Sequence, residues 1–153
     1  MEHSHRKNPI PSRVTADETW MRVAVLMAER SKDPQTKVGA VLVSPDGKSI
    51  AVGWNGFPAG LEETPERWER PAKYEFVIHA EENAILNSKC DLTGWTLYTT
   101  LMPCQRCVMK IMQSGIARVC YLTTNSKSVD AGTSAELLLE RGIEICYISL
   151  AER

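Results

Sequence analysis

No stretch of this chain is apolar for long enough to cross a bilayer, so no membrane partner is expected. Neither charge is in excess: 18 Lys and Arg against 19 Asp and Glu leave a net charge of -1 at pH 7. A protein that tracks a phosphate backbone usually carries surplus Lys and Arg, so no nucleic-acid partner is expected. Histidine is scarce. Of three, His3 and His5 sit in the first residues and only His79 lies inside the chain. Residues Met1 to Ser12 also carry Arg6 and Lys7 but no hydrophobic stretch, so no secretory signal is expected there. There is no internal repeat, low-complexity tract or linker-like segment. Five cysteines, an odd number with one close pair, fit a reducing compartment better than a disulfide framework, and the expected location is cytoplasmic.

The 153 residues, 43% of them hydrophobic, suit one domain with a real core. The expected division is a mobile tail over 1–14 and a single domain over 15–153. Thr15-Ala16-Asp17-Glu18 is a capping-box pattern and opens a helix with Trp20, Val23, Ala24 and Met27 on one face. Pro34 ends that region. Strands are predicted over 38–43 and 49–54, joined as a hairpin through Pro45-Asp46-Gly47. A long loop over 55–78 follows, of a length that is usually functional or disordered. Next come a helix over 79–88, a strand over 96–100, and a helix from Pro103 to Gly115. A strand over 118–122, a helix over 135–141 and a strand over 144–148 close the chain. The first hairpin is antiparallel and the later strands, joined through helices, are expected to be parallel. The result is an α/β fold, a mixed five-stranded sheet with helices on both faces.

Two short motifs carry chemistry. His79-Ala80-Glu81 opens one predicted helix, and Pro103-Cys104-Gln105-Arg106-Cys107 opens another. Cys104 and Cys107 are three positions apart and share a helix face. At a helix start, the dipole favours thiolate over thiol. Two thiolates and one imidazole make three zinc ligands and leave a fourth position for water, the mark of a catalytic site. Glu81, two residues past His79, reaches such a water without being a ligand and is the candidate proton carrier. A closed structural site would instead need a fourth ligand, for which Cys90 and Cys120 are the candidates. A thioredoxin-like pair would leave His79 and Glu81 unused.

His-x-Glu with Pro-Cys-x-x-Cys is the signature known for zinc nucleobase deaminases. From about Trp20 to Ile148 the chain resembles the deoxycytidylate deaminases. The resemblance lies in Ser31-Lys32-Asp33-Pro34 with Val38-Gly39-Ala40, in Gly53-Trp54-Asn55-Gly56-Phe57-Pro58-Ala59-Gly60, in Lys73-Tyr74 leading to Val77-Ile78-His79-Ala80-Glu81, and in Pro103-Cys104 to Cys107. The first two separate it from the tRNA adenosine deaminases that share the metal motif. The resemblance implies a three-layer αβα cytidine-deaminase-like fold. It also implies hydrolytic deamination of dCMP to dUMP and ammonia, supplying dUMP for thymidylate synthesis. Zn2+, one per chain, would be the cofactor, with Glu81 protonating N3 and then the departing amine.

The same resemblance implies that Asn55 contacts the deoxyribose hydroxyl and that the backbone at Ala80 reads the base. Arg30, Ser31, Lys32 and Tyr121 are the candidates for the phosphate. Arg30 and Lys32 also suit the end of a helix through its dipole, and Asn55-Gly56 is a common turn pair. Relatives are activated by dCTP and inhibited by dTTP, which implies an effector site at Gly53, Asn55, Gly56, Phe57, Pro58 and Gly60, with Mg2+ accompanying a triphosphate. They form homohexamers, so a homo-oligomer is expected. Another free-nucleotide deaminase, or a tRNA or DNA base deaminase of the same zinc class, is the alternative.

Overall fold

The computed structural model describes residues 13–124 and 130–151. The expected tail lies, as far as residue 12, outside the described residues. Helix α1 spans Ala16–Ala28, and Thr15 caps it, its hydroxyl accepting from the Glu18 amide at 3.1 Å. Strands β1 (Gly39–Val43) and β2 (Ile50–Trp54) form the antiparallel hairpin. Its turn is closed by Ser44 N–H to Ser49 O at 2.9 Å and by Gly47 at φ 74°, a conformation that costs glycine nothing.

The 55–78 segment is not bare loop. It contains two single-turn helices, α2 (Pro65–Trp68) and α3 (Lys73–Phe76). Its ends are pinned together by a two-bond bridge between Gly56 and Ile78. Phe57 stacks on Trp68 at 4.0 Å between ring centroids, which gives the excursion a small core of its own.

After it come α4 (Ala80–Ser88), β3 (Thr96–Leu101), α5 (Gln105–Gln113), β4 (Arg118–Thr123), α6 (Asp130–Glu140) and β5 (Glu144–Tyr147). The strand order is β2-β1-β3-β4-β5. β3 enters beside β1 and antiparallel to it, and β3, β4 and β5 are parallel neighbours. The crossover from β2 through α4 therefore passes over β1. This is the expected mixed five-stranded sheet. α6 begins five residues earlier than its sequence predicts, because Ala131 and Ser134 pack inward despite a first turn of Gly132, Thr133 and Ser134 that favours helix poorly.

Every residue of β1 is buried, and its side chains alternate between two cores. Val41 and Val43 face α1 with Met21, Ala24, Tyr98 and Cys120. Ala40 and Leu42 face the opposite layer with Ala80, Ala84, Val108, Ile111 and Leu138 from α4, α5 and α6. Helices thus cover both faces. α4 is held on the edge strand by Asn83 and Asn87, whose amides donate to the carbonyls of Trp54 (2.7 Å) and Val52 (2.9 Å). No helix among the described residues is long and apolar enough to cross a membrane.

Candidate metal centre and catalytic pocket

Two helix N-termini meet at the site. His79 is the N-cap residue of α4 and Cys104 that of α5, with Cys107 one turn further along α5. The His79 ring makes no capping bond to its own helix and faces Cys104 and Cys107 instead. The ligand atoms of His79, Cys104 and Cys107 all lie within 4.8 Å of one another. His79 Nδ1 stands 3.2 Å from Cys107 Sγ and 3.5 Å from Cys104 Sγ. Zinc bond lengths place N and S donors about 3.6 Å apart across a tetrahedron, so the three residues fit that ion. They form a His/Cys/Cys metal-binding triad.

The electrostatics agree with a thiolate-bearing site. Cys104 is brought down to about 3 by the hydrogen bond from Cys107 and by His79 beside it. Cys107 moves the opposite way, through the same shared hydrogen bond and its burial. The His79 ring is raised, chiefly by its bond to Cys104. Among the described residues no fourth side chain joins the triad. Cys120 is buried in the core under α1, and Cys90 is exposed beyond the end of α4.

Glu81 sits in the first turn of α4 and is 4% exposed. Burial raises its pKa, opposed by its own backbone amide, by His79 and by a hydrogen bond from Thr99 Oγ1 to Oε1 at 3.0 Å. Glu81, His79, Ala80 and Cys104 share a cavity of about 250 Å³ with Asn55, Asp33, Thr36, Lys73, Arg70 and Tyr74. Asn55 is 7% exposed and nearly saturated. Its Nδ2 donates to Thr36 O (2.8 Å) and Asp33 Oδ2 (3.3 Å), and its Oδ1 accepts from the Val38 amide (2.8 Å). One lone pair on Oδ1 is left for a ligand.

The remaining expected contacts fall elsewhere. Arg30, Lys32, Gly56, Phe57, Pro58 and Gly60 line a second cavity, of about 490 Å³, and Asn55 belongs to both. Ser31 is 3% exposed, and its hydroxyl donates to Asn55 O at 2.8 Å. Tyr121 lies on β4, its ring 5.7 Å from that of Tyr147, and lines neither cavity. Gly53 lies within β2 under α4, where a Cβ would run into the Ala80 carbonyl and the Ala84 amide. Lys73 and Arg70, which the sequence did not mark as substrate contacts, are in the first cavity.

A family model described as the cytidine and deoxycytidylate deaminase zinc-binding region matches residues 14–123. The chain belongs to this family. It is 40% identical over 128 residues to the deoxycytidylate deaminase of Homo sapiens, covering 79% of this chain and 72% of that protein. The Mus musculus deoxycytidylate deaminase is 38% identical over 130 residues, 80% of this chain and 73% of that protein. The dCMP deaminase of cyanophage S-TIM5, solved in complex with dCMP and dUMP, superposes with a TM-score of 0.74 at 30% identity. That match covers 90% of this chain and 99% of the phage chain.

Proposed function

We propose that the protein deaminates dCMP hydrolytically to dUMP and ammonia. The observation that carries this is the His79, Cys104 and Cys107 triad, two members of which, His79 and Cys104, line one cavity with buried Glu81 and Asn55. The choice of nucleotide is supported by the likeness to the human enzyme and to the phage enzyme that binds dCMP and dUMP. His79, Cys104 and Cys107 would hold one zinc ion per chain. Zinc held there supplies the Lewis acidity that makes water a nucleophile near neutral pH.

The residues of the chain do the rest. Glu81 takes a proton from the attacking water and passes it to N3 of the cytosine ring, then carries the second proton to the departing amine. Its burial suits this work, because a raised pKa makes the carboxylate a better proton acceptor than a solvated one. The backbone at Ala80 lies against the base, and the spare lone pair of Asn55 Oδ1 accepts from the deoxyribose hydroxyl. Leu101, Met102 and Pro103 supply apolar wall to the cavity.

The second cavity is the proposed effector site for dCTP or dTTP, with Mg2+ accompanying the triphosphate. Arg30 beside Gly56 to Gly60 supports that reading. A hexamer and a cytoplasmic location complete the proposal. The location is supported by the five cysteines, all of them unpaired.

The test is an ultraviolet assay with dCMP, CMP, dCTP and deoxycytidine, each with and without dCTP or dTTP as effector. dCMP is expected to be the preferred substrate. Glu81→Ala is expected to abolish turnover while keeping one zinc per chain. A wild-type protein inactive on every cytosine nucleotide would refute the enzymatic reading. Rates hyperbolic in dCMP and unmoved by either triphosphate would remove the effector site.

A further inference from the structure

We propose that Arg70 receives the 5′-phosphate of the substrate, an inference that rests on the dCMP reading and adds a specificity-determining residue to it. A phosphate monoester brings a charge of about -1.5 to -2 near pH 7 and needs a cation that is not already neutralised. Three side chains lining the catalytic cavity can carry positive charge: His79, Lys73 and Arg70. His79 belongs to the metal triad. Lys73 is 4% exposed, and its ammonium group is committed to Asp33 Oδ2 at 3.0 Å, Asp33 Oδ1 at 3.3 Å and Gln35 Oε1 at 3.1 Å. That accounts for all three of its donors.

Arg70 is left. It is exposed at the cavity wall, and among the described residues it forms no salt bridge. Its guanidinium carbon stands 5.9 Å from the ring centroid of Tyr74, within cation–π range, which steadies the group from one side. A guanidinium fork matches a phosphate bidentately, a geometry an ammonium group cannot supply.

The cations near residue 30 line the other cavity. Arg30 lies over the Trp54 ring at 5.0 Å, and Lys32 pairs with Glu63 at 3.0 Å. Arg70 thus shares a cavity with Glu81, whereas Arg30 and Lys32 line the other one.

The experiment compares the zinc-loaded full chain with Arg70→Gln, Arg70→Lys and an Arg30→Gln/Lys32→Gln double variant. Steady-state kinetics are measured with dCMP and deoxycytidine, and competitive inhibition with dUMP and deoxyuridine. Arg70→Gln is expected to raise KM for dCMP and Ki for dUMP about ten- to hundredfold, the loss of a charged hydrogen-bonding partner. Its kcat should hold, deoxycytidine and deoxyuridine should be handled as by wild type, and Arg70→Lys should recover part of the loss. The proposal is overturned if Arg70→Gln leaves dCMP and dUMP unchanged, if it weakens nucleotide and nucleoside alike, or if the double variant alone shows the phosphate-selective loss. In those cases the deaminase reading stands. A wild type that does not turn over dCMP defeats that reading, and the Arg70 proposal falls with it.

Discussion

Lys73 Nζ lies 3.0 Å from Asp33 Oδ2, with both side chains almost fully out of solvent. The pair joins the segment after α1 to the turn that begins α3, forty residues later. Asp33 also accepts from the amides of Gln35 (2.8 Å) and Thr36 (3.2 Å) and from Asn55 Nδ2. Burial raises its pKa, but the Gln35 and Thr36 amides and Lys73 outweigh that and hold it below the usual carboxylate range. A buried ion pair adds little over an apolar replacement, but losing one member strands the other charge. Lys73→Met is therefore expected to cost about 3–5 kcal/mol in urea unfolding. Because Asp33 also orients Asn55, the variant should raise KM for dCMP as well. Adding Asp33→Asn should return part of the stability, and a Lys73→Met protein as stable as wild type would contradict this account.

Thr99 favours the charged form of Glu81 against the burial that raises its pKa. Its hydroxyl has one proton and faces two acceptors, Glu81 Oε1 at 3.0 Å and Leu101 O at 2.9 Å. With Glu81 ionised the proton serves the carboxylate; with Glu81 protonated it can turn to the carbonyl. Thr99→Val removes a bond that favours the charged form, so the pKa of Glu81 should rise. Turnover begins with proton uptake by the carboxylate, so activity falls as pH drops through that pKa. The acid limb of kcat/KM for dCMP should move to higher pH. A limb that stays in place would show that the hydroxyl does not bear on the proton carrier.

The metal motifs were legible because each is local. One residue separates His79 from Glu81 and two separate Cys104 from Cys107, and a helix start fixes what such spacings mean. The hairpin and the cap at Thr15 were legible for the same reason. α2 and α3 were not, since a four-residue turn is too short to show a period. Lys73 was hidden more deeply. A lysine is by default a surface residue, and only the fold brings Asp33 to it. That Arg30 and Lys32 line a different cavity from Glu81 was equally invisible, because only the fold brings residues this far apart in sequence to one wall.

Asp17 ties α1 to the sheet, and its contribution should be readable against pH. Arg118 donates to it twice, at 2.8 and 2.9 Å, and the Tyr98 hydroxyl donates at 2.6 Å. The Arg118 hydrogen bonds, aided by Tyr98, hold its carboxyl below the usual carboxylate range. The folded pKa lies under the unfolded one, so the stabilisation is present above the unfolded value of about 3.9 and is lost as pH falls through the folded value. Asp17→Asn should thus be less stable than wild type at pH 7. The gap should close progressively on acidification below pH 4. Thermal unfolding of both proteins across that range checks this, and a gap that widens towards low pH would reverse the assigned sign.

Gly53 is where the sheet and the metal site meet. It lies in β2, directly under α4, and a Cβ there would run into Ala80 O and Ala84 N. Neither is the end of a flexible side chain, so α4 itself must move. That helix carries His79 as its cap and Glu81 in its first turn, and Asn83 and Asn87 pin it to the carbonyls of β2. Gly53→Ala is therefore expected to cost about 1–3 kcal/mol through overpacking. It should also release zinc to a chromophoric chelator faster than wild type. Gly56→Ala is the control, because a Cβ there meets nothing within 4 Å, and its zinc release should match wild type. If Gly53→Ala kept both wild-type stability and zinc retention, the close seat of α4 on β2 would not be what sets the ligands.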